Sequence, residues 1–139
     1  MHAVSAVLDT DVIISAHLKP EGREALILDL ALCRRFGLAV SEPLLEEYEG
    51  VLRCPRFGFD PRDVARSLRA IRRVAVLFHP RELLKVTRDP DDNMILECAV
   101  EAGAEFVVTG NTRHFPSRLR SLQILAPRHF LIVLAARLE

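Results

Sequence analysis

DPDDNMILECAVEAGAEFVVTGNTRHF, residues 89–115, reads as an acidic turn, an apolar helix, a glycine stop, a short apolar strand and a polar exit. Met94, Ile95, Cys98, Ala99 and Ala102 recur at helical spacing and form one apolar face. Asp89-Pro90-Asp91 supplies N-terminal capping chemistry, and Gly103 is a natural C-terminal stop. Phe106-Val107-Val108 then reads as a buried strand ending in Thr109-Gly110-Asn111. Acid therefore gathers at a helix start, and a polar loop follows the next strand. In an open α/β sheet, sites form in the crevice beyond the strand C-termini. The question for the rest of the chain is whether it sends more carboxylates there.

Residues 3–8 (AVSAVL) fit a buried parallel strand followed by Asp9-Thr10-Asp11, with a first helix through Val12–Leu18. An acid just past a central strand is costly to bury without a cation or hydrogen-bond donor. Two acids flanking a threonine exceed what an N-cap needs. Glu24 to Arg35 forms a mostly apolar helix ended by Gly37, and Leu38-Ala39-Val40 a second strand. Ser41, with Pro43 in the first turn, starts the helix SEPLLEEYEGVL, whose apolar face is Leu44, Leu45, Tyr48, Val51 and Leu52. Glu46 points away from that face. Glu47 and Glu49 lie at its two margins, and periodicity does not choose between them.

Residues 53–60 form a turn-rich connection, and Asp60-Pro61 opens a helix burying Val64, Leu68 and Ile71. Arg66, Arg69 and Arg73 share one stripe of it, able to follow a phosphate backbone or simply to face water. Val74 to Phe78 is a third strand. Beyond Phe115, Leu122–Leu125 is a last strand and Pro127–Leu138 a closing helix. Alternating short strands and helices predict a three-layer α/β/α domain with a mainly parallel sheet, one domain over residues 1–139.

Composition narrows the classes. Half of the 139 residues are apolar and the formal net charge is zero, which argues against whole-protein steering toward nucleic acid. All basic residues but Lys19 and Lys85 are arginine. No run approaches a membrane span, and no signal-peptide pattern opens the chain. Cys33, Cys54 and Cys98 are widely spaced and form no CxxC pair, so buried free thiols in a reducing cytoplasm are expected.

Asp9, a glutamate near residue 47 and Asp92 are thus the acids that loops could bring together. Converging carboxylates repel and rise in pKa unless a cation compensates. Hard oxygen donors suit Mg²⁺ or Mn²⁺ rather than Zn²⁺, for which there is no His/Cys set. Phosphodiester hydrolysis is chemistry that such a site can do.

These segments resemble the PIN-domain family, which includes the VapC-type ribonuclease toxins of toxin–antitoxin operons. The resemblance rests on VLDTDVIISA at 7–16, SEPLLEEYEGVL at 41–52, DPDDNMILECAVEAGAEFVVTGN at 89–111 and RHFPSRL at 113–119, and the tail LQILAPRHFLIVL also fits. It implies a metal-dependent endoribonuclease leaving 5′-phosphate and 3′-hydroxyl ends. Asp9, Glu47 and Asp92 would hold Mg²⁺ or Mn²⁺, Asn111 would orient water or a ligand, and Thr10, Asp11 and Thr109 would support them. Asp11 stands where the pattern commonly has asparagine, and Asn111 where it often has aspartate. Arg66, Arg69, Arg73 and Arg113 are candidates for the RNA backbone, and His114 reads first as a loop or core residue. A cognate antitoxin and a homodimer are the implied protein partners.

Two rivals come from other classes. One is a PIN fold with a weakened site that binds RNA or a partner protein. The other is a haloacid dehalogenase-like phosphatase with Asp9 of LDTDV as nucleophile. The latter lacks a convincing Thr/Ser-ended strand between Asp11 and Lys85, and the chain is short for it.

Overall fold

A computed structural model describes residues 4–137. In chain order the elements are β1 (Ser5–Leu8), α1 (Thr10–Leu18), α2 (Arg23–Leu32), β2 (Gly37–Ser41), α3 (Glu42–Leu52), α4 (Pro61–Val74), β3 (Val76–Phe78), α5 (Pro90–Ala102), β4 (Phe106–Val108), β5 (Arg118–Leu119), β6 (Leu122–Leu125) and α6 (Pro127–Arg137). Single 3₁₀ turns occupy Pro55–Phe57 and Thr112–His114. The sheet order is β3-β2-β1-β4-β6-β5, parallel throughout except for β5 against β6. This is the expected three-layer α/β/α arrangement with a mainly parallel sheet.

Buried Ala6, Val7 and Leu8 pair with Phe106, Val107 and Val108 at the centre, which explains their apolar runs. α5 lies against β1, β2, β3 and β4, while α2 packs on α1, α4 and α6. Phe130 closes the core edge-on to Phe36, at 5.0 Å between ring centroids, and to Phe106, at 5.9 Å. Among the described residues no helix is long and apolar enough to cross a membrane.

Ala3 of the expected first strand and Leu138 of the expected closing helix lie outside the described residues; most other expected segments form, with four differences. α2 ends at Leu32, not Arg35, and its stop is Arg34 rather than Gly37. Arg34 takes the left-handed conformation (φ 58°), and the Arg35 and Arg34 amides donate to Leu30 and Ala31 carbonyls. That closure lets Phe36 turn into the core, a tertiary demand no local signal announces. At α5 the expected stop holds: Gly103 has φ 62°, and the Ala104 amide donates to the Ala99 carbonyl. α4 runs through Val74, so β3 is confined to 76–78. β5 has two residues, too few for any period to register. Finally, all three cysteines are free but only Cys98 is buried; Cys33 is the C-cap residue of α2 and is exposed.

Candidate active site

β1 lies between β2 and β4, so the chain leaves the sheet in opposite directions there and a crevice opens beyond the strand ends. Asp9 stands at this point. Its amide donates to the Val108 carbonyl (2.9 Å), extending the ladder by one rung. Although Asp9 is the N-cap of α1, its carboxylate makes no capping hydrogen bond. It instead accepts from the Thr109 hydroxyl at 2.7 Å. The Thr109 hydroxyl also accepts from the Asn111 amide (2.9 Å), so one buried threonine ties the two loops.

The second acid arrives from α3. The Ser41 hydroxyl caps the helix by accepting from the Leu44 amide. Tyr48 is fully buried and its hydroxyl donates to the Leu8 carbonyl, one residue before Asp9. That bond docks α3 against the end of β1 and sends Glu47 toward α1, where its Oε1 accepts from the Thr10 hydroxyl (3.1 Å). Glu49 faces solvent and pairs with Arg53 at 2.8 Å. The tertiary arrangement thus separates the two glutamates that periodicity left equivalent.

The third acid is at the α5 N-terminus. Asp89 caps the helix by accepting from the Asp91 amide, leaving Asp92 to turn inward, its side chain 13% exposed. His114 stands 3.8 Å from it. Asp11 completes the group: its Oδ2 accepts from the Gly110 amide (3.0 Å) and the Asn111 side-chain amide (2.9 Å). Its Oδ1 is buried without a hydrogen-bond partner.

Asp9, Thr10, Asp11, Glu47, Asp92 and Asn111 line one cavity of about 450 Å³. Ser15, Asp89, Arg56, Phe57 and His114 also face it. Burial raises the carboxyl pKa of Asp9, Glu47 and Asp92, and the acids around each of the latter two add to the rise. Burial, then Asp9, push Asp11 up to about 6. Among the described residues, no three His, Cys, Asp or Glu side chains already stand in a metal-holding group. The donor chemistry nonetheless fits a hard cation: carboxylates of raised proton affinity line one cavity, and Asp11 Oδ1 is buried without a partner.

The candidate arginines are placed unevenly. Arg113 lines an adjoining chamber, but Arg66, Arg69 and Arg73 line neither; Arg66 pairs with Asp63 at 3.0 Å. Arg56, which sequence reasoning passed over, faces the acids from a turn too irregular for periodicity to place. His114, read first as a loop residue, borders both chambers. Asn93, Glu97 and Glu101 were also missed. They follow at i, i+4 and i+8 on α5, and accept from loop amides of Val86 and Thr87, of Leu84, and of Arg81. That spacing of polar residues beside an apolar face was the available signal.

Residues 5–113 match the PIN domain family. The uncharacterized protein MJ1680 of Methanocaldococcus jannaschii is 31% identical over 112 residues, spanning 78% of this chain and 71% of its own length. The match leaves the phosphatase alternative without support, and Lys85, its required cation, is exposed outside the acidic cavity. The chain belongs to the PIN-domain family, whose fold is of nuclease type.

Proposed function

We propose that this protein is a metal-dependent endoribonuclease and the toxin component of a toxin–antitoxin pair. The observation that carries the reading is the convergence of Asp9, Asp11, Glu47 and Asp92 on one cavity at the strand C-termini. Four raised carboxyls in one place are unfavourable for the isolated fold and favourable for holding a divalent cation. Asp9, Glu47 and Asp92 would hold Mg²⁺ or Mn²⁺. When bound, such an ion makes water more acidic and offsets charge at a phosphate. Thr10 and Thr109 orient Glu47 and Asp9 through their hydroxyls, and Asn111 holds Asp11. Asp92 beside His114 forms the far wall, where an RNA phosphate would enter.

The setting follows from the same reading: a cytoplasmic protein that forms a homodimer, with an antitoxin segment covering the acidic cavity. Calorimetric titration of Mn²⁺ against wild type and Asp92→Asn, with cleavage of mixed RNA, tests the core claim. Binding and cleavage lost together in the variant support it. Binding indifferent to Asp92, with no cleavage by either protein, overturns it in favour of a binding scaffold.

A further inference from the structure

Beside the acidic cavity lies a second chamber of about the same volume, 450 Å³. The two share Asp89, Asp92 and His114 as a common wall. The second chamber's own lining is different in character: Arg88 and Arg113 with Val86 and Thr87. We propose that it is a phosphate subsite for the nucleotide flanking the one cut, with Arg88 and Arg113 as its cations. This rests on the nuclease reading of the acidic cavity.

Three observations point there. First, neither Arg88 nor Arg113 forms an ion pair or side-chain hydrogen bond among the described residues, whereas Arg81 and Arg120 nearby are taken up by Glu101 and Glu82. Their planar forks are free for phosphate oxygens.

Second, the wall is built rather than loose. Buried Asn93 accepts from the Val86 and Thr87 amides (3.2 and 2.8 Å) and donates back to the Thr87 carbonyl (3.2 Å). The Thr87 hydroxyl donates to the Asp89 carbonyl at 2.9 Å, which fixes the segment carrying Arg88. Asn93 is therefore a positioning residue for the chamber.

Third, a polyanion entering a cavity of carboxylates needs local positive charge, because a chain with zero net charge supplies no long-range steering. Successive phosphates of one strand could straddle the Asp92–His114 ridge, one on each side. Contacts of this kind hold the backbone without reading the base.

Fluorescence anisotropy of a short labelled RNA against the full chain in Ca²⁺ tests the proposal. Arg88→Ala/Arg113→Ala should weaken binding at least about tenfold and flatten the log–log salt slope by about 1.4, at roughly 0.7 per single-strand contact. Arg35→Ala/Arg137→Ala removes equal charge at the far end of the sheet, beside the N-termini of β2 and β4, and should leave the slope unchanged. A single methylphosphonate moved along the RNA should find one linkage whose neutralisation weakens wild-type binding but not that of the Arg88/Arg113 variant. Equal effects from the two double variants, or no such linkage, overturn the subsite while RNA cleavage by wild type preserves the nuclease reading. A wild type that neither binds nor cleaves RNA removes both.

Discussion

The Asn111 side-chain amide donates to Asp11 Oδ2 at 2.9 Å, across two loops separated by 99 intervening residues. In the pattern this chain resembles, residue 11 is commonly asparagine and residue 111 often aspartate. By that resemblance, the acid and the amide stand in exchanged positions across a single hydrogen bond. The Gly110 amide donates to the same oxygen at 3.0 Å, and a Cβ at Gly110 would lie 3.0 Å from it. Charge is thus retained at the site although the loop residue is neutral.

The exchange predicts a compensating pair. Asp11→Asn alone sets two amides facing each other and removes a negative charge, so Mn²⁺ affinity should fall by roughly 10–100-fold. Adding Asn111→Asp should restore most of it, and RNA cleavage should follow the same order. Calorimetry on the four proteins of the cycle reads the coupling directly; additive losses would show that the two positions act independently.

Acid at the site should also shape stability. The Asp11 carboxyl is raised to about 6 in the folded chain, with Asp9, Glu47 and Asp92 shifted the same way. Above an unfolded value near 3.8, the folded state holds more protons than the unfolded state, so stability falls as pH rises toward and past about 6. Without divalent ions, Tm should be higher near pH 5 than near pH 7.5. Asp11→Asn should shrink that difference, as should saturating Mn²⁺, and thermal melts across the range would measure it.

Asp92→Asn should remove cleavage without loosening the fold. Burial and the surrounding acids penalise the Asp92 carboxylate, so the neutral isostere relieves repulsion and Tm at neutral pH should not drop. Denaturant unfolding beside the cleavage assay separates the two effects; a large loss of stability would mean that Asp92 is structural.

Asn93→Ala, by contrast, should loosen its own segment. It strands the Val86 and Thr87 amides and the Thr87 carbonyl, at a cost of about 1–3 kcal/mol where they stay unsolvated. Hydrogen exchange at Val86 and Thr87 should accelerate, whereas amides of the central strand Ala6–Leu8 should keep the protection that global stability allows.

Apolar runs and helical periods placed β1, β2, β4, α3 and α5 from sequence alone, because each buries a stripe whose spacing is local. The capping acids and the Gly103 stop were legible for the same reason. Asp9 and Asp92 stood out by position, one past a strand and one at a helix start. What local pattern left open was direction. Glu47 and Glu49 are equivalent on a helical wheel, and only the Tyr48 bond to Leu8, forty residues away, turns Glu47 toward Thr10. Arg34 takes a left-handed turn because Phe36 must enter the core. The Arg66, Arg69 and Arg73 stripe is real along α4 but lines neither chamber, while Arg56 and Arg88 reach those chambers from segments without a period. Sequence determined which faces are apolar and where acids cluster. Which loops meet was decided by strand order, since side chains a hundred residues apart share a cavity only once the sheet has set β1 against β4.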